Sequence, residues 1–118
     1  MAVRLKRAYD PPARTDGYRV LVDRLWPRGV RKDDLRLDDW SKAVAPSDAL
    51  RRWFGHDPAR WTEFQRRYRA ELARGAAAEA LGTLAARAAR GTVTLVFAAH
   101  DARHSNAAVL EQLLKKRA

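Results

Sequence analysis

Three stretches of the chain carry apolar residues in patterns that suit β-strands, and the intervals between them carry helical spacing. Val3 to Tyr9 alternates apolar and basic positions and stops at Asp10-Pro11-Pro12, a turn that neither helix nor strand crosses. Tyr18 to Trp26 contains the unbroken aliphatic run Val20-Leu21-Val22, as in a strand covered on both faces. Asp16-Gly17 before it is turn chemistry, and Pro27 ends it by removing a ladder donor. Thr92 to Ala99, TVTLVFAA, is uncharged and rich in β-branched and aromatic residues, the strongest strand pattern of the three.

Helices fill the gaps. Ser47 is placed to cap Asp48 to Phe54, with Gly55 as a left-handed terminator. Asp57-Pro58 starts the next helix, in which Trp61, Phe64, Tyr68 and Leu72 share one stripe. Gly75 to Arg90 repeats Leu81, Leu84, Ala85 and Ala88 at helical spacing, and Gly91 suits its end. Ser105 or Asn106 caps the last helix, whose expected buried face is Ala107, Leu110, Leu113 and Leu114. Strands separated by helices predict a small α/β fold over residues 1–118, a single domain with a central, mostly parallel sheet of about three strands flanked by helices.

Composition narrows the class. The 118 residues are 47% hydrophobic with four Trp, three Tyr and three Phe, which excludes intrinsic disorder and supplies one modest core. Zero Cys removes disulfides, thiolate nucleophiles, iron–sulfur clusters and Cys-bound zinc. The start, MAVRLKRAYDPP, lacks the apolar segment of a secretory signal, and no apolar run is long enough to span a bilayer, so a cytoplasmic protein without membrane partners is expected. The formal charge of +10 raises nucleic acid and phosphorylated metabolites as partners, although an Arg-, Asp- and Ala-rich composition also follows from GC-rich coding. No linker or repeat divides the chain, and oligomeric state is left open.

In parallel sheets, ligands sit outside the carboxyl ends of the strands. The second strand ends in Asp23-Arg24-Leu25-Trp26-Pro27-Arg28-Gly29, where Arg24 and Arg28 clamp an anion or, alternatively, Asp23 or Arg24 makes a structural salt bridge to a neighbouring element. The third ends in His100-Asp101-Ala102-Arg103-His104-Ser105-Asn106, where Asp101 and Asn106 flank a helix start that attracts anions or needs capping. His56 beside Asp57, at a sharp corner, is either a base held by a carboxylate or a packed imidazole beside a cap. No nucleophile elbow, phosphate loop or metal-ligand spacing occurs, so no metal and no cofactor are expected. The middle helices carry scattered Arg residues, and Trp26 and Trp40 are alternative partner-binding residues.

The runs DGYRVLVDRLWPRGVRKDDL, W-S-K-x-x-A-P-S, LRRWFGHDPARWTEFQRRYRAEL and TVTLVFAA, with Asn106 to Leu110, resemble the domain of unknown function 488 family of small bacterial proteins. The resemblance runs from Tyr9 to Leu114. It implies a compact α/β fold and no established activity, substrate or cofactor. The family pattern falls here on Asp23, Arg24, Trp26, Pro27, Arg28, Gly29 and Lys32, then on Trp40, Ser47, Arg51, Trp53, His56, Asp57, Tyr68, Glu71 and Asn106. Two positions depart: the family often has a basic residue where His100 stands, and a His where Ala107 stands. The expectation is therefore an anionic ligand, phosphate first, held by Arg24, Arg28, Lys32 and Asn106. His56, Asp57 and Asp101 are the proton-transfer candidates, and whether any enzymatic step occurs is open. The rival expectation is a nucleic-acid-binding protein that uses its basic surface without chemistry.

Overall fold

The computed structural model describes residues 2–117. Strand β4 (Thr92–Phe97) lies at the centre of a four-stranded sheet, between β1 (Ala2–Arg7) and β2 (Tyr18–Leu21), with β3 (Asp39–Trp40) outside β2. All pairings are parallel: Val3 sits opposite Val93, Leu5 opposite Leu95, Val20 opposite Leu95 and Leu21 opposite Val96. The three expected strands are present and the expected count is corrected to four. The two residues of β3 are too few to carry an alternation pattern. The second strand also stops at Leu21 rather than Trp26, and the third at Phe97 rather than Ala99.

The two sheet faces are covered differently. Val3, Val20, Val22, Val93, Leu95 and Phe97 pack into a large core with four helices: α2 (Asp48–Phe54), α3 (Trp61–Leu72), α4 (Gly75–Arg90) and α5 (Asn106–Lys116). The other face has a small cluster of Ala8, Leu21, Leu35 and Val96, closed by Trp26, Val30, Leu37 and Trp40 from loops and from the short α1 (Lys32–Leu35). Side-chain alternation in β2 thus sends Val20 and Leu21 into different cores. That is why the sequence shows a continuous rather than an alternating apolar run.

Helix ends follow the cap chemistry. Ser47 accepts from Leu50 N at 3.1 Å, and Glu71 of α3 in turn accepts from Ser47 N (2.8 Å) and Oγ (2.6 Å), which fixes α2 against α3. Gly55 ends α2 at φ 54°, a conformation that costs glycine little. Asp57 caps a single 3₁₀ turn, Pro58–Arg60, that runs into α3. Phe64, Tyr68 and Leu72 are buried as their spacing predicts, whereas Trp61 at the head of the stripe is only half-buried and stacks on Phe64. Ser105, not Asn106, caps α5, and Val109 joins the buried face ahead of the half-buried Leu113.

Charge is buried on the second sheet face. Asp16 and Arg19, 3% and 4% exposed, pair at 2.7 Å, and Lys6 reaches the other Asp16 oxygen at 2.9 Å. Arg19 also donates to Leu35 O at 2.8 Å, and Thr94 Oγ1 donates to the Asp16 carbonyl at 2.7 Å. Gly17 lets this turn approach the sheet: its φ is 63°, and a Cβ there would lie 2.4 Å from Thr92 O. Burial alone would raise the Asp16 pKa, but the Ala13 N–H, Lys6 and Arg19 outweigh it and hold the carboxyl below its ordinary value. A lowered acid contributes stability that is present above its unfolded pKa, about 3.9, and is lost as pH falls through the lower folded value. Asp16→Ala, which strands two cations, is expected to cost about 3–5 kcal/mol in chemical denaturation. A loss below about 1 kcal/mol would show that the cluster contributes only as an exposed pair does.

Candidate functional site

Because every strand runs the same way, their carboxyl ends share one side of the sheet, and a cavity of about 750 Å³ opens there. Its walls come from the residues after β1, β2 and β4 and from the corner after α2. Three guanidinium groups (Arg24, Arg28 and Arg51), two carboxylates (Asp23 and Asp101) and all three histidines of the chain line it, beside Asn106. The remaining wall is largely apolar and aromatic, including Trp26, Pro27, Phe54 and Phe64.

The exits of β2 and β4 are tied together. Val22 N donates to Val96 O at 3.0 Å, and one residue later the Asp23 carboxylate accepts from Ala98 N at 2.9 Å. Asn106, at the start of α5, donates to Val22 O at 2.9 Å. Two indoles fix the loop beyond: Trp40 donates to Asp23 O and Trp26 to Val30 O, each at 2.7 Å, and the two rings meet edge-on. Both Trp residues are half-buried in the second core, so neither is a free partner-binding side chain. Arg7 holds the other exit, donating to Ala99 O at 3.1 Å.

Burial raises the Asp23 pKa, with the Ala98 N–H, Asn106 and His56 pulling the other way. Beneath it, Tyr68 is fully buried with its hydroxyl on Val44 O, and burial pushes its pKa well above the ordinary phenol value.

The cations are held unequally. Arg24 spends only Nε on a protein carbonyl, Pro46 O at 3.1 Å, and stands 3.9 Å from Asp48. Arg51 lies 3.5 Å from the same carboxylate through NH2, and its buried Nε has no hydrogen-bond partner among the described residues. The Arg28 side chain makes no hydrogen bond among the described residues, although its carbonyl accepts from the Tyr9 hydroxyl at 3.1 Å. An anion with several acceptor oxygens, such as a phosphate, matches such partly used forks.

The structure gathers Arg24, Arg28, His56, Asp101 and Asn106 on the cavity and leaves Lys32 and Asp57 outside its lining. Lys32 is exposed in α1; Asp57 caps Ala59 N and faces Arg60, so it does not orient His56. His56 itself takes φ 57° directly after Gly55, two left-handed residues that turn the chain at the cavity wall. Asn106 serves as a strand-end tie rather than a cap. Asp101 accepts from Arg103 N and His104 N and pairs with His104 Nδ1 at 2.6 Å; that bond holds its carboxyl below the ordinary range. Sequence reasoning assigned no role in the site to Asp23, Arg51 or His104. Spacing alone could have revealed only the Asp101–His104 pair.

Residues 2–118 match the model described as the inactive DUF488-N3 subclade. The chain belongs to this family. The uncharacterized protein Rv3073c of Mycobacterium tuberculosis is 49% identical over 115 residues, covering 98% of this chain and 95% of that one. Its counterpart Mb3100c of Mycobacterium bovis gives the same figures, and YeaO of Escherichia coli is 42% identical over 116 residues, 98% of both chains. No solved structure matches. Across the DUF488-N3 chain described here, no three metal-ligating side chains cluster among the described residues.

Asp23→Asn keeps an acceptor for Ala98 N while removing the buried charge. A raised acid makes the fold less stable as pH climbs from its unfolded value through its folded one. The variant is therefore expected to match or exceed the parent in thermal stability at pH 7, and to lose that advantage near pH 4. A destabilised Asp23→Asn at pH 7 would mean that the ionised carboxylate is required by the fold.

Proposed function

We propose that this cytoplasmic protein binds a phosphorylated or otherwise anionic small molecule in the cavity at the strand carboxyl ends, and holds it without turning it over. The observation that carries this is the convergence of Arg24, Arg28 and Arg51 on one cavity, with the Arg28 guanidinium making no hydrogen bond among the described residues and Arg24 using only its Nε. The N–H groups left over on such partly used forks are donors for an anion. Rigid surroundings support the same reading, since the indole ties of Trp26 and Trp40 set the Arg24–Arg28 loop before any ligand arrives.

Binding without chemistry is supported by two things. The family to which the chain belongs is described as an inactive subclade. Two of the three candidate acid–base groups are also committed elsewhere, Asp57 to a cap, and Asp101 to a cap and to His104, while His56 stands on the cavity with no carboxylate to orient it among the described residues. The Asp101–His104 pair is the one arrangement that favours catalysis, an imidazole oriented by a carboxylate. Both side chains are more than one-third exposed, however, and the His104 ring meets Trp61 edge-on at 5.2 Å. Nucleic acid as the partner is less well supported by the placement of the other arginines. Arg66 and Arg67 are bound to Glu63, Arg60 and Arg67 stack on Trp53, Arg87 lies over Tyr18, and Arg19 is buried. No described helix is long and apolar enough to cross a membrane.

Phosphate-dependent thermal shift tests the site. Arg24→Ala, Arg28→Ala and Arg51→Ala are each expected to weaken phosphate binding about tenfold, one charge-assisted hydrogen bond's worth, while Arg66→Ala leaves it unchanged. Equal binding by parent and triple variant would place the anion elsewhere. A log–log salt slope of about 0.9 per phosphate on oligonucleotides, with no response to phosphate itself, would instead establish the nucleic-acid reading.

A further inference from the structure

The cavity has a feature that a bare anion does not use. Among the described residues, the exposed large hydrophobic side chains are Tyr9 (47%) and Leu25 (57%), and both stand on this one cavity. Single exposed apolar residues are ordinary; two gathered beside a set of arginines mark a surface built to be covered. The Tyr9 ring is also fixed in place. Its hydroxyl donates to Arg28 O at 3.1 Å, and the Arg7 guanidinium lies 5.1 Å from the ring centroid. A ring held on two sides loses little freedom when a flat group stacks on it.

Asp23 supplies a third element. It lines the cavity beside the arginines, and a carboxylate accepts hydrogen bonds, so the part of the ligand against it is a donor group such as a hydroxyl rather than the anion. One molecule therefore has to present an anion, donor groups such as hydroxyls, and a planar apolar surface. The volume of about 750 Å³ is within the range of about 300–1,000 Å³ that encloses ligands of that size.

Resting on the anion-binding reading above, we propose that the ligand is a nucleoside monophosphate. Its phosphate lies on Arg24 and Arg51, its sugar hydroxyls face Asp23, and its base covers Tyr9 and Leu25. An alkyl phosphate meets the arginines but has neither donors for Asp23 nor a flat face for Tyr9.

Calorimetric titration of the full chain with AMP, ribose 5-phosphate, octyl phosphate and inorganic phosphate separates the two levels of the claim. AMP is expected to bind at least about tenfold more tightly than ribose 5-phosphate, the contribution of one stacked base. In Leu25→Ser and Tyr9→Leu that ratio is expected to shrink to about threefold or less, and an undiminished ratio in both variants overturns the placement of the base. Equal affinity for AMP and ribose 5-phosphate, or tighter binding of octyl phosphate than of AMP, overturns the nucleotide assignment and leaves anion binding standing. Failure of all four to bind overturns anion binding as well.

Discussion

The cavity depends on how the two central strands end. A backbone ladder would have continued β2 and β4 side by side, closing the space above the sheet. Instead the Asp23 carboxylate takes the N–H of Ala98, just past β4, and the Asn106 amide donates to the carbonyl of Val22, just past β2. Two side chains thus satisfy the backbone groups at Ala98 and Val22 that strand separation exposes. Asp23 is the costlier half of this tie, because burial disfavours its ionised form. Arg24, Trp26 and Arg28 follow it on a loop whose direction that hydrogen bond sets.

The uneven covering of the sheet explains how the loops on its second face are held. Four helices bury one face with aliphatic and aromatic side chains. The other face has only loops and one short helix, so its cover is fixed by polar bonds: Arg19 to the Leu35 carbonyl, Asp16 to Arg19 and Lys6, and the two indole N–H groups to loop carbonyls. Directional bonds of this kind hold irregular backbone in one arrangement where propensity would not. They also consume Arg19 and Lys6, which are therefore not free to meet a ligand.

Patterned elements were legible from the residues. The runs Val20-Leu21-Val22 and TVTLVFAA, the stripe of Phe64, Tyr68 and Leu72, and the cap at Ser47 report local periodicity or local hydrogen bonding, and the structure has each of them. Elements defined by distant partners were not. β3 is a strand only because Asp39 and Trp40 lie beside Val20 and Leu21. Trp61 belongs to the stripe by spacing, but at the head of α3 it is only half-buried, stacking on Phe64 on one side and meeting His104 edge-on. At the site, Arg24 and Arg28 could be singled out from their position at a strand end. Arg51 could not, since it reaches the cavity from a helix that tertiary packing brings there. Asp57 was drawn in by its neighbour His56, although as a cap its carboxylate turns toward the following backbone.

The account comes down to guanidinium groups that hold an anion at the mouth of the parallel sheet. Arginine Nε–Hε resonances in a ¹H–¹⁵N spectrum, followed while inorganic phosphate is added, report this group by group. The Arg24, Arg28 and Arg51 signals should move together and saturate. If those three stay still while arginines of α3 such as Arg66 and Arg67 shift, the cavity does not bind the anion and the account is wrong.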